Sequence, residues 1–166
     1  MTIFLTADPH FTHELILQYC NRPFKTLKEM ENALITNWNN VVSKNDIVYV
    51  LGDFSFGDNH QRYKKILKNL SGRKILIMGN HDDNRPRFYV SAGFESVHYP
   101  YINIGEYTLC HDPALSQVDR NRKFIIGHIH DLFVKHKNCV NCGVDVHNFT
   151  PQPFDYITSL FDKEDY

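Results

Sequence analysis

The chain has 166 residues, of which 42% are hydrophobic and 22% charged, so its length suits one globular domain and its composition argues against disorder. The formal net charge of −1 argues against binding to nucleic acid through charge alone, and no apolar run approaches the ~20 residues that span a membrane. Four cysteines are too few for a disulfide framework and the N-terminus lacks a basic segment, so we expect a single cytoplasmic domain over residues 1–166 with no membrane association.

The first half of the chain alternates strand and helix patterns. Short apolar runs that end in polar residues predict buried strands at residues 1–7, 46–51 and 74–78. Residues 27–42 and 59–70 predict amphipathic helices, because apolar side chains recur there every three or four residues. Thr26 and Glu29 have the spacing of a capping box at the start of the first helix.

From about residue 94 the pattern changes to short strands separated by turns. Such strands are predicted at residues 96–98, 101–104, 107–110, 124–126 and 139–141. Gly105 can adopt a positive φ, which favours a hairpin turn between the second and third of them. Together the two halves indicate a layered α/β fold in which the strand ends share one face.

Five polar motifs each follow a predicted strand. They are Asp8-Pro9-His10, Gly52-Asp53, Gly79-Asn80-His81-Asp82, His111-Asp112 and Gly127-His128-Ile129-His130. Because ligands bind beyond the carboxyl ends of strands in open α/β sheets, we expect these motifs to meet in space. Carboxylate, amide and imidazole ligands without thiolate suit Mn, Fe or Zn, and their number exceeds the needs of one tetrahedral site. The set fits two metals that share a carboxylate, an arrangement found in phosphatases and nucleases.

In this order, the motifs resemble those of the calcineurin-like metallophosphoesterase family, and of its small single-domain members in particular. The resemblance spans residues 8–130, and residues 79–82 with residues 127–130 are its most specific part. It implies a four-layer α/β/β/α sandwich and a metal-dependent phosphoric ester hydrolase, either a phosphodiesterase or a phosphatase. It also implies two divalent metal ions, which we expect to be Mn, with Fe, Zn or Ni as alternatives.

The resemblance further assigns a role to each motif residue. Seven residues would hold the metals: Asp8, His10 and His130 the first, Asn80, His111 and His128 the second, and Asp53 both. His81 would face the substrate as general acid, and Asp82 would orient His81 through a ring nitrogen. A metal-bridging hydroxide would attack phosphorus in line with the leaving group.

Two residues outside the motifs are candidates for substrate binding. His13 follows His10 by three residues and could reach the substrate, with helix capping or simple exposure as the alternatives. Arg22 lies near the expected mouth of the site and could bind a phosphate through two hydrogen bonds, with a surface ion pair as the alternative. The expected substrate is a phosphate ester or a nucleotide, and the oligomeric state is left open.

Three functions are compatible with these residues. The leading hypothesis is a binuclear phosphoesterase acting on a soluble mono- or diester. A nuclease or RNA-end processing phosphodiesterase would use the same chemistry, but near-neutral charge disfavours it unless a basic stripe compensates. That stripe would comprise Arg62, Lys64, Lys65, Lys68, Arg73 and Lys74. A non-catalytic metal-binding scaffold is the third, and the complete ligand set argues against it.

Other patterns indicate structural roles. Tyr99, Tyr101 and Tyr107 alternate around predicted strands and are expected to pack in the structure rather than stack on bases. Cys139 and Cys142 would point to opposite faces of a strand, so we do not expect them to bind zinc. The short chain leaves little length for a cap, so we expect an open site whose specificity comes from loops. These loops are predicted at residues 11–25, 54–60 and 83–92.

Overall fold

A computed structural model describes residues 1–82, 85–114 and 121–166. The strands in this part of the chain are β1 (Ile3–Thr6), β2 (Ile47–Leu51), β3 (Arg73–Ile77), β4 (Ser96–His98), β5 (Tyr101–Ile104), β6 (Tyr107–Cys110), β7 (Lys123–Ile126), β8 (Lys135–His136), β9 (Cys139–Asn141) and β10 (Gln152–Pro153). The α-helices are α1 (Ile16–Tyr19), α2 (Leu27–Val41), α3 (His60–Asn69), α4 (Pro86–Ala92) and α5 (Phe154–Ser159), and short 3-10 helices cover Val144–Val146 and Leu160–Asp162.

The strands form two five-stranded sheets. The first has the order β10-β1-β2-β3-β4, in which β1 to β4 are parallel and β10 is antiparallel to β1. The second has the order β5-β6-β7-β9-β8, with β6, β7 and β9 parallel and an antiparallel strand at each edge. A bridge between Ala7 and Gly143 joins the chain just beyond β1 to the chain just beyond β9. The carboxyl ends of the central strands in both sheets therefore lie together.

Apolar layers hold the sheets and helices together. Between the sheets, fully buried side chains interlock: Leu5, Leu51 and Ile77 from the first sheet and Leu109, Ile125 and Val140 from the second. Helices α2, α3 and α4 cover the outer face of the first sheet through Met30, Trp38, Tyr63 and Tyr89. A smaller cluster of Cys110, Phe124 and Ile126 forms on the outer face of the second sheet. The mixed α/β sandwich expected from the sequence is confirmed.

The predicted strands and long helices agree with the structure to within two residues at each end. Gly105 has φ +57° between β5 and β6, as the predicted hairpin turn requires. Helix α4 is a correction, because the sequence indicated a loop over residues 83–92. Pro86 occupies the first turn of α4, where a missing N–H costs nothing, and Tyr89 and Ala92 bury one face. Residues 83–84 of that predicted loop lie outside the described residues.

The N-terminus of α2 is capped as predicted, with one difference. The Glu29 backbone N–H donates to Thr26 Oγ1 at 3.2 Å, but the Glu29 carboxylate accepts from the Lys25 backbone N–H instead of that of Thr26. Within the described residues, no helix combines the length and the apolar character that crossing a bilayer requires.

Removing this cap should destabilise the protein measurably. We expect Thr26→Ala to lower the free energy of unfolding by about 0.5–2 kcal/mol, because a backbone N–H in the first turn loses its partner. Urea unfolding followed by the fluorescence of Trp38 measures the effect. Thr36→Ala is the matched control, since it makes the same change at an exposed position inside α2 and should leave stability equal or slightly higher. Equal losses in both variants would contradict the cap.

Candidate metal and active site

The five motifs come together at the carboxyl ends of the strands, as expected. Asp53, which directly follows β2 and Gly52, lies at the centre of the group. Its Oδ2 atom is 3.5 Å from His10 Nε2 and 3.4 Å from His111 Nε2. One carboxylate oxygen thus lies between side chains that come from opposite sheets.

On one side of Asp53, three side chains could share a cation. Ligand atoms of Asp8, His10 and His130 all lie within 4.8 Å of one another. Asp8 Oδ1 and both ring nitrogens of His10 are buried without a hydrogen-bond partner among the described residues. Because buried polar atoms are almost always satisfied, this donor set fits a metal ion.

The other side of Asp53 gathers an amide oxygen and two imidazoles. Asn80 Oδ1 lies 2.9 Å from His111 Nε2 and 3.0 Å from His128 Nδ1. His111 Nδ1 donates to the Leu51 carbonyl at 2.8 Å, which turns Nε2 towards Asn80 and Asp53. A histidine whose second nitrogen is held in this way is oriented as metal-binding histidines are.

The backbone of the motifs is strained. Asp8, His10, Asp53, His128 and His130 all have φ between +49° and +72°, in the left-handed region. Such a conformation costs of order 1–3 kcal/mol for a residue other than glycine, and it persists only where surrounding contacts enforce it. The His10 backbone N–H, for example, donates to the Asp53 carbonyl at 3.1 Å. Five of the seven candidate ligands therefore have a strained backbone.

Gly127 shows why this motif begins with glycine. A Cβ atom at this position would lie 2.6 Å from Ala7 Cβ, 2.7 Å from Asp8 Oδ2 and 2.8 Å from the Leu51 carbonyl oxygen. Only a residue without a side chain lets the chain after β7 approach β1 and β2 this closely.

Arg22 is buried below the site, which corrects the expectation that it lies at the mouth. Its side chain donates to Asp145 through Nε at 2.7 Å and Nη2 at 2.8 Å. It also donates to the carbonyls of Asp8 at 2.7 Å and Pro9 at 3.0 Å. With only 5% of its surface exposed, Arg22 cannot bind a substrate phosphate and instead fixes the backbone of the first motif.

Asp145 is a site residue that the sequence did not reveal. Its Oδ2 accepts a hydrogen bond from His130 Nδ1 at 2.8 Å, while both carboxylate oxygens accept from Arg22. The signal available was its place just after the predicted strand at residues 139–141, together with the rule that metal-binding histidines donate to a carboxylate. Sequence spacing alone does not distinguish Asp145 from the other acidic residues.

Asp82 also differs from the expectation. Its carboxylate accepts from the backbone N–H groups of Asp53 at 2.7 Å, Gly79 at 3.0 Å and Phe54 at 3.3 Å. The turn that starts at Gly79 carries Asp82 back towards the end of β2, so that it fixes the position of Asp53 instead of orienting the His81 ring. Burial raises the pKa of Asp82 to about 7.

His81 and His13 lie side by side on the open flank of the site. The His81 ring centroid is 5.4 Å from that of His10 and 6.1 Å from that of His13. The His13 ring stacks on Phe56 at 4.5 Å. These rings line a cavity of about 650 Å³ together with His130, so His13 does lie on the side that the sequence analysis suggested.

Comparison with known proteins decides the family. The family model for calcineurin-like phosphoesterases matches residues 1–164. The chain belongs to the calcineurin-like phosphoesterase family. Metal-dependent hydrolysis of phosphate esters is therefore its general chemistry.

Similar proteins include several without a stated function. An uncharacterized protein of Methanocaldococcus jannaschii is 37% identical over 97% of this chain and 92% of its own length. The Gene 66 protein of Mycobacterium phage L5 is 34% identical over 49% of this chain and 40% of its own. A solved protein of unknown function from Aquifex aeolicus has a TM-score of 0.73 at 26% identity, covering 96% of this chain and 98% of its own. A nuclease from Pseudomonas putida shares the fold, with a TM-score of 0.52 at 21% identity over 77% of this chain and 61% of its own.

Electrostatics prepare two candidate ligands of the phosphoesterase site for a cation, whereas His111 and His130 are protonated in its absence. Burial lowers the pKa of both rings, but hydrogen bonds to Asp53 and Asp145 raise it to about 9 and about 10. Burial lowers the pKa of His10 to about 2 and raises that of Asp8 to about 6. Burial alone would raise the pKa of Asp53, but the His111 ring and the His81 N–H lower it to about 2. At neutral pH, His10 is thus a neutral imidazole and Asp53 an anion, which are the protonation states that bind metals.

The basic stripe considered for nucleic-acid binding is broken up in the structure. Arg62 donates to both carboxylate oxygens of Glu31, and Arg73 binds Glu95 in the same manner. Lys74 is buried and donates to the Leu70 carbonyl. Three of the six cations are therefore already paired or buried, which weakens the case for binding a polymer through this surface.

Proposed function

We propose that this chain is a binuclear metal-dependent phosphoesterase that hydrolyses phosphate mono- or diesters. The observation that carries the proposal is the position of Asp53 Oδ2, at 3.5 Å from His10 Nε2 and 3.4 Å from His111 Nε2. The residues that would hold the metals are Asp8, His10 and His130 for the first, Asn80, His111 and His128 for the second, and Asp53 for both. The proposal takes residues 1–166 as one phosphoesterase domain.

The donor set supports divalent metals of intermediate hardness. Oxygen and imidazole donors without thiolate suit Mn, which we propose as the metal, with Fe, Zn or Ni as alternatives. When bound, two such ions would lower the pKa of a water molecule and neutralise charge on the phosphate.

Within this proposal the residues of the chain orient the substrate and move the proton. His81 is half-buried at the edge of the large cavity, so its ring can contact an ester that enters there and donate a proton to the leaving oxygen. Its backbone N–H donates to Asp53 Oδ1 at 2.9 Å, which fixes the residue next to the central carboxylate. Asp82 accepts from the backbone N–H groups of Asp53 and Gly79 and so holds together the two turns that carry Asp53 and His81.

Metal dependence and ester preference are tested in one assay. We expect hydrolysis of bis(p-nitrophenyl) phosphate with added Mn²⁺, lost on chelation and restored by Mn²⁺. Turnover of p-nitrophenyl phosphate alone would indicate a monoesterase. Two bound metals with no turnover of either ester would contradict the enzyme proposal and favour the scaffold.

Replacing His81 tests the proposed acid. We expect His81→Ala to reduce kcat by about 10²–10⁴-fold, with the larger loss for esters that have poor leaving groups, because these most need a proton. Metal content, measured by mass spectrometry, should stay unchanged. The exposed His98 offers the matched control, and His98→Ala should retain full activity. Unchanged kcat in metal-loaded His81→Ala would rule out the acid role.

We also propose a cytoplasmic location. All four cysteines are free thiols, and Cys110 and Cys142 are buried, which suits a reducing compartment. Cell fractionation of the native source tests this, with recovery in an extracellular or periplasmic fraction as the contrary result.

A further inference from the structure

Two separate cavities open onto the metal-ligand cluster from different flanks. The larger, of about 650 Å³, is lined by His10, His81 and His130 and continues over Leu15, Tyr19 and Phe56. The smaller, of about 90 Å³, is lined by Asn80, His111 and Asp112 and continues over Met78, Tyr99 and Pro100. Each cavity therefore combines candidate ligands with an apolar wall.

Exposed aromatic rings line both cavities. Phe56 is 49% exposed and Tyr19 70% exposed in the larger cavity, and Tyr99 is 68% exposed in the smaller one. The sequence suggested that Tyr99 and Tyr107 both pack in the structure. Tyr107 does so, against Phe154 and Phe161, whereas Tyr99 leaves its ring largely in solvent beside the site. Large exposed rings next to a polar centre are typical of ligand-binding surfaces.

We propose that the two cavities bind the two arms of a phosphodiester, and that each arm carries a planar aromatic group such as a nucleobase. This inference rests on the proposed function. A monoester has one arm and would leave one cavity unused, whereas a diester centred on Asp53 extends into both. The substrate class is thus a phosphate flanked by two bases, as in a dinucleotide or in single-stranded nucleic acid.

The geometry also determines which arm of the diester lies in which cavity. His81 lines only the larger cavity, so the leaving arm lies against Phe56 and Tyr19. Asn80 and His111 line the smaller one, so the arm that keeps the phosphate lies against Tyr99. Phe56 and Tyr99 are then specificity residues for opposite arms.

Recognition of bases by stacking on aromatic side chains is also consistent with the near-neutral net charge of the protein. Bases bind aromatic side chains through their faces, with little dependence on sequence, and this stacking is distinct from the electrostatic attraction of the backbone. A chain with a net charge of −1 and a broken basic stripe can therefore select a nucleotide diester at the metal site.

A matched series of anions that the enzyme cannot hydrolyse tests the two-arm proposal by binding alone. Dimethylphosphinate, methylphenylphosphinate and diphenylphosphinate share one phosphinate core and carry no, one and two rings. We expect each ring to tighten binding to the Mn²⁺-loaded protein by about tenfold in calorimetry, as one aromatic contact provides. Tyr99→Ala and Phe56→Leu should each remove the gain from one ring, and the double variant should remove both. Tyr156→Ala, which replaces an exposed ring outside both cavities, should change nothing.

Equal affinity for the three phosphinates, or affinities unaffected by Tyr99→Ala, would overturn the inference, as would failure of all three to bind. Ester hydrolysis in the chelation assay is independent of this result, so a protein that cleaves esters without preferring rings contradicts only the two-arm inference. A protein that prefers rings without cleaving esters contradicts only the proposed function. Competition by a dinucleotide and by a longer single strand separates the two sources of the ligand, since equal affinities indicate the dinucleotide.

Discussion

Asp53→Asn should cost more activity than any other single substitution in the site. The amide keeps the shape of the side chain but removes the negative charge that lies between His10 and His111. Both proposed metals would then bind more weakly, so we expect the loss of turnover to exceed the roughly 10²–10⁴-fold expected for removal of a general acid. Metal bound per chain after dialysis should fall together with kcat.

The exposed Asp155 provides the control for this variant, because Asp155→Asn makes the same chemical change away from the site. The urea midpoint of each variant shows whether the fold is intact. An Asp53→Asn protein that is folded and still retains two metals per chain would refute the bridging role.

Asp145→Ala is expected to have the second largest effect, on stability as well as on metal binding. Arg22 is buried and would keep its charge without the partner that now accepts two of its hydrogen bonds. Breaking a buried ion pair in this way costs about 3–5 kcal/mol. The His130 ring would also lose the carboxylate that orients it, which lowers metal affinity by about 10–100-fold.

Urea unfolding of the chelated protein measures the stability effect, and titration with Mn²⁺ measures the affinity. Glu95→Ala is the comparison, because it breaks the exposed pair with Arg73 and surface pairs contribute little. If Asp145→Ala unfolded at the same urea concentration as Glu95→Ala, Arg22 would not depend on Asp145 in the way that the structure indicates.

The sequence was informative where the pattern is local. Strand β2 is a short apolar run that ends at Gly52, and the periodicity of α2 is visible in Met30, Leu34 and Trp38. The convergence of the five motifs followed from a general rule of open sheets, since each motif directly follows a strand. These features need no knowledge of distant contacts.

What sequence reasoning missed depends on contacts between distant parts of the chain. Arg22 and Asp145 are 123 residues apart, so neither spacing nor periodicity could pair them. Asp82 lies next to His81 in sequence, but the turn points its carboxylate at the backbone beyond β2. Tyr99 differs from Tyr101 and Tyr107 in the exposure of its ring, which no local pattern encodes.

The candidate ligands of the first metal are also separated along the chain, and this bears on how the protein matures. Asp8 follows the first strand of one sheet and His130 follows β7 of the other, and the bridge between Ala7 and Gly143 forms only when the sheets meet. Contacts over such long loops close late in folding, because the entropy of closure must be overcome first. If Asp8, His10 and His130 hold the first metal as proposed, a newly made chain would acquire that metal only after the two sheets have docked. Metal uptake would then follow folding instead of directing it.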